Sequence, residues 1–455
     1  MPTTDPARLR RRRRARLHPA QVVVAGFAGV IMLGALLLTL PVSAASGTAT
    51  DFDDAVFTAT SAVCVTGLVT LDTATHWSGF GLTVIMLLIQ VGGLGIMIVA
   101  TLIGVLLARR LSVRSRLNAA AETTAIGRDD VRRVVKGIVL TSFSIEAVVF
   151  VLLFLRFVGG YGYDVGKGLW HALFHAVSSF NNAGFALYTD NLIPFAADPF
   201  ICLPICAAII LGGFGFPVLM QLRREWRHPL RWSMNTRLVL WGTALLIPVG
   251  TIYITVIEWS NPGTLGQYEN PWSRLLIGFF HAVQVRTAGF NSVDVGLMHD
   301  ETWVGMDVLM FIGGGPAGTA GGIKVTTFGV LLFILLTELR GEGAVNIFGK
   351  RLSRAVHRQA ISVVLVAIGA VMSAVVAIMI ITGLPFDRVL FEAVSAFGTV
   401  GLTTGITWEM PPSAEMILVV LMFLGRIGPL TLGSALALRD RRILYEYPKE
   451  RPAIG

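Results

Sequence analysis

The sequence carries little charge for its length. Only 14% of its 455 residues are Asp, Glu, Lys or Arg, whereas a soluble domain has roughly 25%. Hydrophobic residues make up 54% of the chain, and the mean hydropathy is +0.70. Apolar runs such as 22–40, 82–108 and 361–381 are each long enough to cross a bilayer as a helix. The composition excludes a soluble globular protein and indicates an integral membrane protein.

Cysteines and enzyme motifs are also scarce. Cys64, Cys202 and Cys206 lie in apolar surroundings, and we interpret them as core residues rather than metal or redox sites. His171 and His175 are one helical turn apart, but no third ligand accompanies them, so packing is the favoured interpretation. The apolar runs contain no HExxH, GxSxG or paired-carboxylate set typical of a membrane hydrolase or transferase. We therefore predict that the chain is not an enzyme.

The most specific feature is a short pattern that occurs four times. Each copy starts with a Phe-x-Ala run and leads to a lone glycine. The runs are 57–61, 174–178, 280–284 and 391–395, and the glycines are Gly67, Gly184, Gly289 and Gly401. Successive glycines are 117, 105 and 112 residues apart, a near-constant period that indicates an internal repeat. The third copy is one residue shorter than the others, which makes its half-helix geometry harder to predict.

Basic and acidic residues are segregated along the chain. The basic clusters are 8–16, 109–116, 128–136, 223–237, 340–358 and 439–442, all between repeats or at the chain ends. Acidic residues gather near the repeated glycines, and Asp72, Asp190 and Asp294 follow them directly. The positive-inside rule therefore predicts cytoplasmic termini and glycine loops near the outer face. This pattern explains the net charge of +9 without invoking nucleic acid.

Each repeat predicts the same four parts: a transmembrane helix, a short half-helix, a loop and a second transmembrane helix. The half-helices are too short to cross and should be re-entrant. We predict an all-α integral membrane protein of eight spans and four half-helices around a pseudo-fourfold pore. The predicted boundaries are 1–19 (basic cytoplasmic N-terminus), 20–110, 133–224, 236–340 (with a broken second span), 358–438 and 439–455 (cytoplasmic C-terminus).

Every second span contains a further glycine-rich segment, at 92–95, 212–217, 313–322 and 425–429. We interpret the first two as close packing by small residues. The third cannot be an undisturbed helix and predicts an irregular intramembrane loop. Its Gly313-x-Gly315-x-x-Gly318 matches the dinucleotide fingerprint, but it interrupts a span where that fingerprint requires a strand. We expect no nucleotide to be bound by this chain.

The four glycine loops are predicted to line an aqueous ion path, because lipid cannot solvate irregular backbone. A half-helix that enters from outside points its negative dipole end at the bilayer centre, which favours a cation. Rings of carbonyl oxygens can then replace the hydration shell of a potassium ion. The candidate filter residues are Val65, Thr66, Gly67 and Leu68; Asn182, Ala183, Gly184 and Phe185; Thr287, Ala288, Gly289 and Phe290; and Thr399, Val400, Gly401 and Leu402.

These loops, together with the segment Gly313–Lys324, resemble the Trk/Ktr/HKT superfamily of potassium transporters, and especially the bacterial KtrB type, over about residues 20–440. The resemblance implies potassium uptake across the bacterial inner membrane by a homodimer of single-chain pores. It also implies a separate cytoplasmic nucleotide-binding ring subunit (KtrA-like) that regulates gating. Glycine at all four filter positions favours potassium, since sodium-selective plant relatives have serine at the first. A sodium-permeable or non-selective transporter of the same fold is the alternative, and sodium dependence stays open.

The same resemblance implies a gate below the filter. Its candidate residues are Gly313, Gly314, Gly315, Pro316, Ala317, Gly318, Thr319, Ala320, Gly321, Gly322, Lys324 and Arg426. A guanidinium among apolar residues is costly unless it faces a cavity or finds partners, which independently favours a pore-facing Arg426. Lys324 could instead extend to the membrane interface. Two further residues stay open: Glu146 is a functional acid or an interhelical hydrogen bonder, and Arg286 packs behind the filter or pairs with an acid.

Overall fold

The computed structural model describes residues 19–116 and 128–438, which are mostly helical. The helices are α1 (Pro19–Leu38), α2 (Phe52–Cys64), α3 (Gly79–Arg116), α4 (Arg128–Tyr161), α5 (Val165–Phe180), α6 (Pro199–Phe214), α7 (Phe216–Glu225), α8 (Met234–Glu258), α9 (Pro271–Gln284), α10 (Asp300–Phe311), α11 (Val325–Leu339), α12 (Arg354–Thr382), α13 (Phe386–Gly398) and α14 (Pro412–Leu438). Strands β1 (Asn346–Ile347) and β2 (Lys350–Arg351) form an antiparallel hairpin. The predicted termini at 1–18 and 439–455 lie outside the described residues.

The four repeats close into a ring of helices. The half-helices are α2, α5, α9 and α13, with 13 to 16 residues each. At about 1.5 Å per residue, even the longest is shorter than a hydrocarbon core of about 30 Å. Each half-helix packs against the first long helix of its own repeat and against the second-span helix of the preceding repeat. Because α14 of the last repeat packs against α2 of the first, the arrangement closes on itself as predicted.

Among the described residues, five helices are long and apolar enough to cross a membrane alone. They are Gln21–Leu38, Gly79–Val105, Val131–Tyr161, Met234–Glu258 and Arg354–Thr382. The bent pair α6–α7 would make a sixth. The two remaining predicted spans correspond to α14 and to α10 with α11, which residues 312–324 separate. The broken second span of the third repeat therefore lies where the glycine-rich segment predicted it.

The second repeat differs from its prediction. We expected 198–222 to be one span with its glycines at a packing contact, but α6 ends at Phe214 and α7 starts at Phe216 after a 98° bend. Gly215 has φ +85, and a Cβ there would lie 2.5 Å from the Pro316 carbonyl oxygen. Contact with the third-repeat loop therefore forces a break that only glycine accommodates. The packing interpretation nevertheless holds at Gly212, where a Cβ would lie 2.1 Å from the Phe180 carbonyl oxygen. It did not foresee the break at Gly215.

For the first repeat the packing interpretation is confirmed. Helix α3 continues through Gly92 and Gly93 without a break. A Cβ on Gly92 would lie 2.0 Å from the Val63 oxygen, and one on Gly93 would lie 1.9 Å from Asn181 Oδ1. The two glycines let the half-helices of repeats 1 and 2 approach the α3 backbone closely.

The burial pattern matches a protein surrounded by lipid. The half-helices are buried, whereas the long helices expose large apolar side chains, for example Leu155 (61%), Val256 (69%) and Ile380 (79%). A soluble protein of this size does not present apolar surface on this scale. The three cysteines are free and buried, which confirms them as core residues.

Candidate functional site: a ring of backbone carbonyls

The four repeated glycines form a closed ring. The closest approaches, measured from the position a Cβ would take, are Gly67 to the Ala183 oxygen (2.5 Å), Gly184 to the Ala288 oxygen (2.7 Å), Gly289 to the Val400 oxygen (2.1 Å) and Gly401 to the Thr66 oxygen (2.1 Å). Each glycine thus faces the carbonyl just before the glycine of the next repeat, and the fourth faces the first. No side chain fits at these positions, so the ring is made of backbone.

The backbone of the ring has an unusual and regular conformation. Each glycine has a positive φ, between 70° and 95°, and so does the residue two positions before it. Those residues are Val65 (58°), Asn182 (60°), Thr287 (69°) and Thr399 (50°). The left-handed conformation costs roughly 1–2 kcal/mol for a residue with a Cβ, and such strain concentrates at functional sites. The sequence did not reveal it, because β-branched residues at positive φ are outliers.

A polar side chain at the end of each half-helix holds its loop. This residue closes each repeated run and is Ser61, Ser178, Gln284 or Ser395. Ser61 Oγ accepts from the Gly67 N–H at 3.0 Å, Ser395 Oγ accepts from the Gly401 N–H at 3.1 Å, Gln284 Oε1 accepts from the Phe290 N–H at 3.1 Å, and Ser178 Oγ donates to the Phe185 oxygen at 2.8 Å. The polar end of the runs was the sequence signal for these tethers, but we assigned it no role.

A second set of tethers holds the chain three residues beyond each glycine. Nε2 of His175 accepts from the Leu187 N–H at 3.4 Å, Nε2 of His281 accepts from the Ser292 N–H at 3.4 Å, and a carboxylate oxygen of Glu392 accepts from the Thr404 N–H at 3.0 Å. All three acceptors occupy the second position of their run. The first repeat departs from this pattern, because Asp54 Oδ1 instead accepts from Thr70 Oγ1 at 2.6 Å. The histidines of the runs are thus used as hydrogen-bond acceptors.

The residues described contain no cluster of three His, Cys, Asp or Glu side chains that could hold a metal ion. His171 Nδ1 lies 3.0 Å from Tyr188 Oη, and His175 Nδ1 lies 2.7 Å from the His171 carbonyl oxygen. Both histidines pack among aromatic rings of the second repeat. The favoured packing interpretation of this pair is confirmed.

The third-repeat loop, residues 312–324, contacts the residues that join the half-helices to the glycine ring. Thr319 Oγ1 donates to Asn182 Oδ1 at 2.9 Å, and Asn182 is one of the four positive-φ residues. A Cβ on Gly321 would lie 2.0 Å from Oγ1 of Thr399, which is another of the four positive-φ residues. The loop therefore lies against two of the four glycine loops.

The break in the second repeat explains how this loop is held. Because α6 ends nearby, the carbonyl oxygens of Gly212 and Gly213 are free of helical partners and accept hydrogen bonds from the loop. The Gly315 N–H donates to the Gly213 oxygen at 2.7 Å, and the Thr319 N–H donates to the Gly212 oxygen at 3.1 Å. The interrupted second spans of the second and third repeats are thus hydrogen-bonded to each other.

Two basic side chains donate hydrogen bonds to backbone carbonyl oxygens of the same loop. Arg426 is 2% exposed, and its guanidinium donates to the Thr319 oxygen and, at 3.5 Å, to the Gly92 oxygen. Lys324 Nζ donates to the oxygens of Ala320 at 2.6 Å and Gly321 at 3.2 Å. Lys324 therefore turns back to the loop and does not extend to the interface. Both cations line a cavity of about 290 Å³ between the loop, α3, α11 and α12.

The structure distinguishes between the alternatives given above for Glu146 and Arg286. Glu146 Oε1 accepts from Gln90 Nε2 at 3.0 Å and from Asn181 Nδ2 at 3.3 Å, so it joins α3, α4 and the end of α5. Arg286 has no ion pair among the described residues, and its buried Nε lacks a hydrogen-bond partner there. It lines a cavity of about 20 Å³ that also borders Gly314. Glu146 is an interhelical hydrogen bonder, and Arg286 packs beside Val283 and Gly314 and pairs with no acid among the described residues.

Comparison with known proteins places this geometry in context. The family model of TrkH, described as a cation transport protein, matches residues 8–440. The chain is similar to Ktr system potassium uptake protein B of Bacillus subtilis, with 42% identity over 94% of each chain. Its namesake in Vibrio alginolyticus is 38% identical over 98% of this chain and 97% of that protein. The potassium/sodium uptake protein NtpJ of Enterococcus hirae is 35% identical over 98% and 99%.

The fold has a counterpart among solved structures. The crystal structure of the potassium transporter TrkH from Vibrio parahaemolyticus superposes with a TM-score of 0.72, over 92% of this chain and 86% of that one. The sequence identity between the two is 18%. At that level the likeness shows a shared fold.

Proposed function

The chain belongs to the TrkH family of cation transport proteins, and we propose that it takes up potassium across the cell membrane through the glycine ring. The observation that carries this proposal is the closed ring of four side-chain-free carbonyl contacts. Carbonyl rings of this kind replace the hydration shell of a potassium-sized ion. The names of the two Ktr relatives, which describe potassium uptake, support the same substrate.

Selectivity in this proposal depends on the tethers behind the ring. A filter holds its oxygens at fixed positions only if the loop cannot relax, and each loop has a tether at its half-helix end. Asp72, Asp190 and Asp294 would raise the cation concentration at the outer mouth. Asp72 also accepts from Thr189 Oγ1 at 2.8 Å, which joins the outer loops of repeats 1 and 2.

We further propose that residues 313–324 close the path between ring and cytoplasm. The loop contacts Asn182 and Thr399 of the filter and is held by Arg426 and Lys324. Opening requires these bonds to break, and a KtrA-like cytoplasmic ring subunit bound to a homodimer would supply the energy. The most similar relatives reported above are named as protein B of a Ktr system, which supports a multi-component assembly.

Tracer uptake tests the ion assignment. The purified protein in liposomes should take up rubidium, and external potassium should block uptake far more strongly than sodium. Equal competition would support the alternative, a sodium-permeable or non-selective transporter, which the name of NtpJ as a potassium/sodium uptake protein keeps in view. A sodium requirement would appear as uptake that rises when sodium is added at constant potassium.

Deletion of the middle of the loop, residues 317–320, tests the gate. We expect rubidium flux to rise without any added cytoplasmic component, because the contacts to Asn182 and Arg426 are lost. Size-exclusion chromatography and thermal unfolding establish that the variant is folded. Unchanged or lower flux in a folded variant contradicts the gate and leaves the filter proposal intact.

A further inference from the structure

An apolar groove runs along the outer face of the second and third repeats. It has a volume of about 790 Å³, within the range of roughly 300–1,000 Å³ typical of ligand pockets. Its walls come from the ends of α6 and α8, and its lining includes Phe214, Leu240, Trp241 and Ile247. Trp241 is 67% exposed, so the groove opens sideways onto the apolar surface and not into the pore.

One end of the groove is lined by Arg237 and lies beside a basic segment of the chain. The segment 223–237 contains five arginines and a single acid, and Leu230 in its middle is 90% exposed. Arg237 lies at this end of the groove, and its Nη2 donates to the Leu230 oxygen at 2.7 Å and to the Pro229 oxygen at 3.3 Å. Its remaining N–H groups make no hydrogen bond to the residues described. They are available to an anionic ligand.

Phe348 closes the same end of the groove from a different part of the chain. It lies at the tip of the β1–β2 hairpin, and its ring centroid is 5.9 Å from the Arg237 guanidinium carbon. The hairpin and the 3₁₀ turn Pro229–Arg231 thus form a cap over the basic end. An arginine under such a cap, at the end of an apolar groove, suits a ligand with a negatively charged head and an apolar tail.

These features point to a lipid rather than a second copy of the chain. In a twofold dimer the same patch lies on both subunits, so Arg237 at the end of each groove would meet the like-charged patch of the other copy. An anionic headgroup instead complements the arginines, and basic pockets on the cytoplasmic side are typical headgroup sites. An acyl chain can also enter an apolar groove of this volume, whereas a flat protein surface cannot fill it.

We propose that the groove is a binding site for one anionic phospholipid of the cytoplasmic leaflet. The phosphate lies against Arg237, beneath Phe348, and an acyl chain lies along Trp241 towards Ile247. The proposal relies on the orientation given by the basic clusters and is independent of the filter and the gate. It assigns the second-to-third repeat junction a role in lipid recognition.

Native mass spectrometry of the purified full-length protein with added phosphatidylglycerol or phosphatidylcholine tests this site. We expect phosphatidylglycerol to be retained preferentially, and Arg237→Gln to weaken its retention by about tenfold, the effect of losing a charged hydrogen bond. Arg358→Gln is the matched control, since Arg358 is an exposed arginine of the same basic side that does not line the groove. It should leave retention unchanged.

A second variant separates lipid loss from misfolding, because Arg237 also holds the turn at 229–230. Ala244 is exposed and lines the groove, and Ala244→Phe fills it without touching Arg237. We expect this variant to lose phosphatidylglycerol and keep rubidium uptake. Competition by inorganic phosphate alone would indicate a plain anion site and overturn the proposal. Equal retention of both lipids, an equal loss in Arg358→Gln, or disulfide crosslinking of two copies through Ala244→Cys would overturn it as well.

Discussion

The glycine ring has the same backbone conformation in all four repeats, whereas the second spans of those repeats differ from one another. At the ring, all four repeats adopt the same backbone, with two positive-φ positions separated by one residue. In the second spans they diverge: α3 and α14 continue without a break, α6 bends by 98° at Gly215, and α10 and α11 are separated by a loop. A carbonyl ring requires equal contributions from every repeat, whereas a single loop is enough for the gate that we propose.

The differences between the second spans are complementary to one another. The loop of the third repeat fits only because the second repeat breaks opposite to it and offers the carbonyls of Gly212 and Gly213. The first and fourth repeats hold the same loop through unbroken helices. Arg426 of the fourth repeat donates to the Thr319 oxygen of the loop, and the Gly92 oxygen of the first repeat accepts from Arg426. Four copies of one repeated pattern thus take three different roles around a single loop.

The largest effect should come from a side chain in the ring. Gly289→Ala places a Cβ 2.1 Å from the Val400 oxygen at φ +82, and strain of about 1–3 kcal/mol together with the clash should displace a filter carbonyl. We expect rubidium uptake to fall by at least about tenfold. Gly405→Ala is the matched control, because Gly405 has φ +96 but open space around it. Equal losses in both variants would attribute the effect to backbone strain and not to the ring.

The next effect should come from the cations that hold the third-repeat loop. Arg426→Gln removes a charged donor from the Thr319 carbonyl, an interaction of roughly 1.5–3 kcal/mol. We expect uptake without a cytoplasmic component to rise about tenfold, since the closed loop loses its strongest contact. Thr319→Val, which removes only the bond to Asn182, should give a smaller rise. Lower uptake in a folded Arg426→Gln protein would mean that the arginine supports conduction rather than closure.

A tether behind the ring should affect selectivity more than flux. Ser395→Ala leaves the Gly401 N–H without its acceptor at 3.1 Å, at a cost of about 1 kcal/mol. We expect the preference for potassium over sodium in competition assays to fall several-fold. Ser179→Ala is the control, since Ser179 is buried in the half-helix α5 next to the tether Ser178, but its hydroxyl donates only to the Ala176 oxygen in its own helix. A similar loss of selectivity in both would rule out a specific tether.

The smallest effect on transport should come from the Glu146 network, which lies away from the ring. Glu146→Leu leaves Gln90 Nε2 without its acceptor and removes one of the three acceptors of Asn181 Nδ2. It should lower the free energy of unfolding by about 1–3 kcal/mol. Glu146→Gln keeps an acceptor oxygen and should cost less. Thermal unfolding measures both changes, and rubidium uptake per folded molecule should stay near the original value. A transport loss in Glu146→Gln with unchanged stability would restore Glu146 as a functional acid.

Several elements of the site could be predicted residue by residue. The four short half-helices followed from the repeated runs that precede the glycines. The interruption in the second span of the third repeat followed from its glycine content. The break at Gly215 could not, because Gly212, Gly213 and Gly215 look like the packing glycines 92, 93 and 95. Only the approach of Pro316 from another repeat distinguishes them.

The tethers show the same limit. The runs that end in Ser61, Ser178, Gln284 and Ser395 were visible as a repeat, but a polar residue at a helix end has many possible partners. The bond between Thr319 and Asn182 joins residues 137 positions apart, and no local pattern encodes it. The lipid groove, too, combines residues from α6, α8 and the β1–β2 hairpin.

The sequence by itself determined the membrane class, the four repeats, the half-helices and the glycines that approach one another, because hydropathy, period and missing side chains are local properties. The tertiary structure decided which carbonyl each glycine faces, which helix breaks beside the loop and which cations hold it. Those outcomes depend on closing the ring of repeats, which brings distant backbone groups within hydrogen-bond distance where lipid offers them no alternative partner.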